Sequence, residues 1–162
     1  MSRYLGLDLS LSAPGFAVIE VIDGVPRLLH VSHRKTNAKH THGQRLADIQ
    51  AALLEIIGEY YPFEAIIREK GFSRHAATTQ TLFKVVGVSD LTFADEGAIV
   101  EIPPTTVKKL VTGDGKADKA EVERAVRHRL ALPDEYTFAK DDESDAAAVV
   151  LAYLIQTGKI AA

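Results

Sequence analysis

The first apolar run, residues 3–10 (Arg-Tyr-Leu-Gly-Leu-Asp-Leu-Ser), restricts the fold more than any other stretch. Tyr4, Leu5, Leu7 and Leu9 suit a largely buried strand, and one carboxylate, Asp8, stands among them. A bare carboxylate there is costly unless it is paired or coordinates a metal. Gly6 suggests close backbone approach. Residues 10–15 read as a turn and residues 15–20 run back, so 9–15 is a hairpin connection. Two readings of Asp8 follow. It is the central ligand of a metal site whose other ligands come from later elements, or it is a strand-end residue that caps the hairpin turn.

With 162 residues the chain suits one domain, 1–162, with a real core. The absence of cysteine excludes disulfides and thiolate metal sites. Neither a signal peptide nor an apolar run of about 18 residues is present, so the expectation is a cytoplasmic protein with no membrane partner. A net charge of -3 gives no global pull toward nucleic acid. Charge is nevertheless uneven: residues 30–45 and 108–119 are basic, and 134–145 are acidic.

Strands are expected at 4–9, 15–22 and 27–32, with Asp23-Gly24 as the turn of the second hairpin. Residues 33–42 lack periodicity and read as a loop. Residues 44–60 form a helix with Leu46, Ile49, Leu53, Ile56 and Ile57 on one stripe. A strand at 63–69 and a helix at 76–93 follow, the latter with Leu82, Val85, Val86 and Leu91 inward. Next come a strand at 98–102 and helices at 105–111, 117–130 and 142–156, with Asp118 and Glu121 as a capping-box pair. A meander followed by two strand–helix–strand passages implies an α/β fold, a mixed five-stranded sheet with helices on both faces.

Four acids stand where these elements begin or end. Asp8 and Glu69 would leave one carboxyl edge if their strands are parallel neighbours. Asp142 and Asp145, spaced i, i+3, share a helix face. Four clustered carboxylates repel unless cations lie between them, and oxygen-only ligation suits Mg²⁺ or Mn²⁺. Two such ions, roughly 4 Å apart, would serve phosphodiester hydrolysis. The alternatives are a surface acid at Glu69 and acids at 142–145 that complement a helix dipole.

These residues, in this order, resemble a RuvC-type Holliday junction resolvase of the ribonuclease H-like fold. The resemblance covers nearly the whole chain. Its parts are Leu-Gly-Leu-Asp-Leu-Ser at 5–10, Gly-Phe-Ala-Val-Ile at 15–19, Ile-Ile-Arg-Glu-Lys-Gly-Phe at 66–72, Val-Lys-Lys-Leu-Val at 107–111, Ala-Asp-Lys-Ala-Glu-Val at 117–122, Leu132-Pro133, and Asp-Glu-Ser-Asp-Ala-Ala at 142–147. It implies a homodimeric crossover junction endonuclease that nicks two opposed strands of a four-way DNA junction. It also implies metal ligands at Asp8, Glu69, Asp142 and Asp145, two Mg²⁺ or Mn²⁺ ions per site, lysines near the scissile phosphate at Lys108 and Lys119, and a junction-stacking Phe72. The chain departs from the family pattern after the first strand, where Asp-Leu-Ser-Leu-Ser (8–12) replaces Asp-Pro-Gly. It also stops soon after the last helix without a basic tail, which leaves a branch-migration partner open and admits a phage-type, broader branched-DNA nuclease.

Lys108 and Lys119 flank a Gly-rich turn at the start of two helices, where backbone N–H groups favour phosphate. Lys109 and Lys116 are candidates for general backbone attraction, as Lys70 and Arg74 are beside Phe72. Without the resemblance, Lys108 and Lys119 read as solvated helix lysines; Phe72 reads as exposed in the polar loop of Gly71, Ser73, Arg74 and His75, with inward packing as the alternative. Arg34, Lys35, Lys39 and Arg45 read equally as a track for a DNA arm and as an ordinary loop, while His40, His42 and His75 read as surface residues. Two competing functions remain: a branched-DNA binder without catalysis, and a fragment-like relative of the actin-like sugar kinases, whose first strand reads the same way.

Overall fold

The computed structural model describes residues 1–71 and 75–162. Strands β1 (Ser2–Asp8), β2 (Gly15–Ile22) and β3 (Val25–His33) form the antiparallel meander. Helix α1 (His42–Tyr60) leads to β4 (Ala65–Glu69), and α2 (Ala76–Thr92) leads to β5 (Val100–Ile102). Helices α3 (Pro104–Thr112), α4 (Lys119–Arg129) and α5 (Asp141–Gln156) complete the chain. The sheet order is β3-β2-β1-β4-β5, with β1, β4 and β5 parallel.

Local chemistry accounts for the boundaries. Asp23 and Gly24 both have positive φ, 51° and 76°, as the tight β2–β3 turn requires. Thr41 and Gln44 close a reciprocal capping box at the start of α1, which begins two residues earlier than its apolar stripe indicates. Asp118 caps α4 by accepting from the Glu121 amide at 2.8 Å. The loop after β1 holds itself in place without the family's proline: Ser10 Oγ accepts from the Ala13 amide, and Thr36 Oγ donates to Leu11 O at 2.6 Å.

Helix α1 packs Ala52, Leu53 and Ile56 against Leu5, Leu7, Phe16, Val18 and Ile66 on one face of the sheet. On the other face lie Tyr4, Ala17, Ile19 and Ile67, covered by α3, α4 and α5. Helix α5 is buried on nearly every side from Ala146 to Ala152, and its run of alanines lets it lie close to the sheet. At Gly6 the approach is so tight that a Cβ would meet the Ala146 carbonyl oxygen and would stand 2.6 Å from Val150 Cγ2. Helix α2 packs on α1 rather than broadly on the sheet. That corrects one expectation: Leu91 points outward, 71% exposed, as does Phe83, while Val85 is buried. No helix among the described residues is long and apolar enough to cross a membrane.

Candidate metal and nucleic-acid site

The parallel ladder fixes the first two acids. Leu7 lies opposite Arg68, so the next residue on each strand, Asp8 and Glu69, leaves the sheet side by side. Side chains alternate along a strand, and Asp8 shares parity with Tyr4 and Gly6, Glu69 with Ile67, which is the face that α5 covers. The other two acids come from the first turns of α5. Gly15 pairs with Asp8 in the antiparallel ladder and carries the Asp142 backbone directly above it: a Cβ on Gly15 would meet the Asp142 carbonyl and lie 2.8 Å from Asp142 Cβ.

Burial and charge link Asp8 to the other three acids. Burial, then the charge of Asp145, a hydrogen bond with Asp142, and the charges of Asp142 and Glu69 push the Asp8 carboxyl up to about 9. Burial also raises Glu69, assisted by Asp145, and raises Asp145, assisted by Asp142 and Asp141. Lys108 and Lys119 oppose both of these shifts. Lys119 Nζ lies 3.7 Å from Asp141 Oδ2 and 3.8 Å from Asp145 Oδ2. Although Asp141 is marginally nearer, Asp145 raises Lys119 more, as its side chain is 27% rather than 67% exposed and less screened by water.

Among the described residues, no group of three or more His, Asp or Glu side chains is arranged to hold a metal ion. The four acids form a neighbourhood of oxygen donors, and burial and neighbouring carboxylates oppose the ionisation of Asp8, Glu69 and Asp145. That donor set suits a hard divalent cation, which would restore the ionised form.

The two lysines reach the acids by different routes. Lys119 is the first residue of α4, as expected; Lys108 lies in the middle of α3, not at its start, so a helix N-terminus does not assist it. Lys70, Lys109 and Lys116 are exposed. Phe72 and Arg74, the expected stacking residue and its basic neighbour, lie outside the described residues. Of the basic residues at 34–45, Arg34 holds Asp48 at 2.6 Å and Glu55 at 3.0 Å, Arg45 donates to Thr36, and Lys35 and Lys39 are exposed. His40, His42 and His75 are on the surface.

Two polar groups beside the site have no counterpart in the sequence reading. His33, at the end of β3, donates from Nδ1 to the buried Glu143 Oε2 at 2.8 Å. Arg68, buried on the opposite face from Glu69, donates to Ser89, Asp90 and Glu101. A signal for Glu143 was present in its spacing, since it lies on the buried stripe with Ala147, Val150 and Leu154.

Comparison with known proteins places this architecture. The family model for crossover junction endodeoxyribonuclease RuvC matches residues 4–153. The chain belongs to the RuvC family. It is 33% identical over 153 residues to the RuvC of Roseiflexus sp., covering 94% of this chain and 90% of that one. It is 35% identical over 155 residues to the RuvC of Synechococcus sp. strain CC9605, covering 95% and 99%. Among solved structures it is similar to T. thermophilus RuvC in complex with a Holliday junction substrate, with a TM-score of 0.86 and 26% identity, covering 97% of this chain and 95% of that one. The mixed sheet with helices on both faces is thus the ribonuclease H-like RuvC fold.

Proposed function

We infer that this RuvC-family chain is a structure-selective DNA endonuclease that resolves Holliday junctions by paired nicking. The observation that carries the chemistry is Asp8: a strand-end carboxyl, pushed up to about 9, with three further acids from β4 and α5 around it and two lysines facing them. Asp8, Glu69, Asp142 and Asp145 would hold Mg²⁺ or Mn²⁺, two ions per site. When bound, the ions supply an activated water and charge stabilisation at the leaving oxygen of a phosphodiester. The acids orient the hydrolytic centre at the sheet edge. Lys108 and Lys119 hold the scissile phosphate and offset charge building on it, acting as point charges. Lys70, Lys109 and Lys116 attract the flanking backbone, and Phe72 with Arg74 stacks against and steadies an unpaired base.

Paired nicking needs two sites. We assign the second copy to the α1–α2 side, where Leu54, Phe83 and Leu91 stand exposed. Phe83→Asp with Leu91→Asp should shift the protein from dimer to monomer in sedimentation; a dimer that persists removes this assignment.

The main test is cleavage of a panel of four-way junctions, flaps and forks with Mg²⁺ or Mn²⁺. Junctions should be nicked at paired positions, and Asp8→Asn or Glu69→Gln should abolish nicking while leaving junction binding largely intact. Binding without cleavage under either metal would make the chain a branched-DNA binder instead. Equal cutting of every branched substrate would make it a broader nuclease.

A further inference from the structure

The first turn of α5 is held over one row of the sheet. Asp8 pairs with Gly15 across β1 and β2, and Gly15 pairs with His33 across β2 and β3. Along that row the helix makes a contact at each step. Asp142 and Asp145 act on Asp8, the Asp142 backbone rests on Gly15, and Glu143 accepts from His33. Glu143 is 5% exposed, and its other oxygen accepts from the Ala139 amide at 3.0 Å, so both ends of the carboxylate are engaged. It therefore ties the loop before α5, the helix itself and the end of β3 together at one buried point.

This contact is placed to control geometry. Glu143 lies between the two acids that face Asp8, so a rotation of the first turn that freed it would move both of them. Gly15 offers the helix a seat but no directional bond. His33 supplies the direction, from a strand that is separated from α5 in sequence and carries no acid of the site. Breaking the bond would leave the buried Glu143 carboxylate short of a partner, although the His33 ring, 26% exposed, could turn to water, so the resistance to rotation lies mainly on the Glu143 side.

We propose that His33 and Glu143 form a positioning pair that sets the Asp142–Asp145 face over Asp8 for divalent-cation binding. The pair touches neither substrate nor cation. Because it deepens the metal-dependent reading of the same acids, its test measures Mn²⁺ binding by calorimetry as well as junction cleavage, junction affinity and thermal unfolding. His33→Ala and Glu143→Ala should each weaken Mn²⁺ binding and lower kcat by roughly 10- to 100-fold, with junction affinity unchanged. The double variant should lose no more than the worse single one, as expected for two halves of one contact. His33→Gln, which keeps a donor, should restore most of the Mn²⁺ affinity.

Variants that only melt earlier, with Mn²⁺ affinity and kcat intact, would overturn the pair's positioning role. If the alanine variants do not fold, His33→Leu against His33→Gln decides: loss confined to Leu supports the pair, and equal behaviour overturns it. An unaltered protein that neither binds Mn²⁺ nor cuts junctions refutes the metal-dependent reading itself. An active unaltered protein with unaffected variants refutes the pair alone.

Discussion

Gly15→Ala tests the close seat of α5 on the sheet more directly than any change to an acid. The added methyl would point at the Asp142 backbone, meeting its carbonyl and lying 2.8 Å from its Cβ. Ordinary contact begins at 3.4 Å, so even the Cβ must retreat, and the carbonyl must retreat further. Neither atom is the end of a flexible side chain. The first turn of α5 therefore moves away from Asp8 by about 1 Å, a misplacement that can cost on the order of 100-fold in rate. Overpacking of this kind costs about 1–3 kcal/mol of stability.

Urea unfolding and single-turnover junction cleavage read the two effects separately. The control is Gly58→Ala, within α1 and open to solvent, which should gain up to about 1 kcal/mol from helix propensity and leave cleavage unchanged. A Gly15→Ala protein with unchanged stability and unchanged rate would refute the packing argument, since the methyl would then have found room that the structure does not contain.

Three further predictions concern charge. Between its ordinary 3.8 and about 9, the Asp8 carboxyl holds more protons folded than unfolded, so its contribution to metal-free stability falls as pH rises through that window. Asp8→Asn should accordingly be more stable than the unaltered protein near pH 8 by at least about 1 kcal/mol, with the difference vanishing near pH 4; a pH-independent difference in denaturation would contradict this. Arg68→Met should cost about 1–3 kcal/mol in urea unfolding, less than the loss usual for a broken buried pair, because Asp90 and Glu101 are partly exposed and regain water. Lys119→Ala removes a charge that lowers both Glu69 and Asp145, and should slow cleavage by roughly 100- to 1,000-fold with a smaller loss of junction affinity.

Much of this architecture was legible because the local signals agreed with one another. The expected bounds of β2, 15–22, are the observed ones, and the Asp-Gly turn, the α1 stripe and the start of α2 fell where the residues indicated. Asp8 was legible as an anomaly, one acid in an apolar strand. The misjudged positions depend on which element packs where. Leu91 reads as inward on a helix assumed to cover the sheet, yet α2 lies on α1 and leaves that side open. His33 was hidden in a basic loop, and the stripe spacing of Glu143 pointed to burial without indicating a partner. Their pairing depends on β3 lying beyond β2 on the side away from β4, a long-range fact that no local pattern carries. Arg68 was hidden for the same reason, since its partners lie on α2 and β5.

Asp8, Glu69 and Asp145 oppose folding when ionised, because burial and neighbouring carboxylates raise them, whereas the alanine-lined contact between α5 and the sheet favours it. Substitutions near the site should therefore fall into two groups with opposite signs in stability. Removing a charge, as in Asp8→Asn, relaxes the repulsion, so metal-free stability rises while cutting is lost. Disturbing the seat, as in Gly15→Ala, loses both. Adding Mn²⁺ to the unaltered protein should raise its melting temperature steeply, since ligand binding to the folded state alone stabilises it. The same addition should do little for Asp8→Asn. If Asp8→Asn melts lower than the unaltered metal-free protein at pH 8, or gains as much from Mn²⁺, Asp8 is not the centre of a repulsive cluster that a cation relieves.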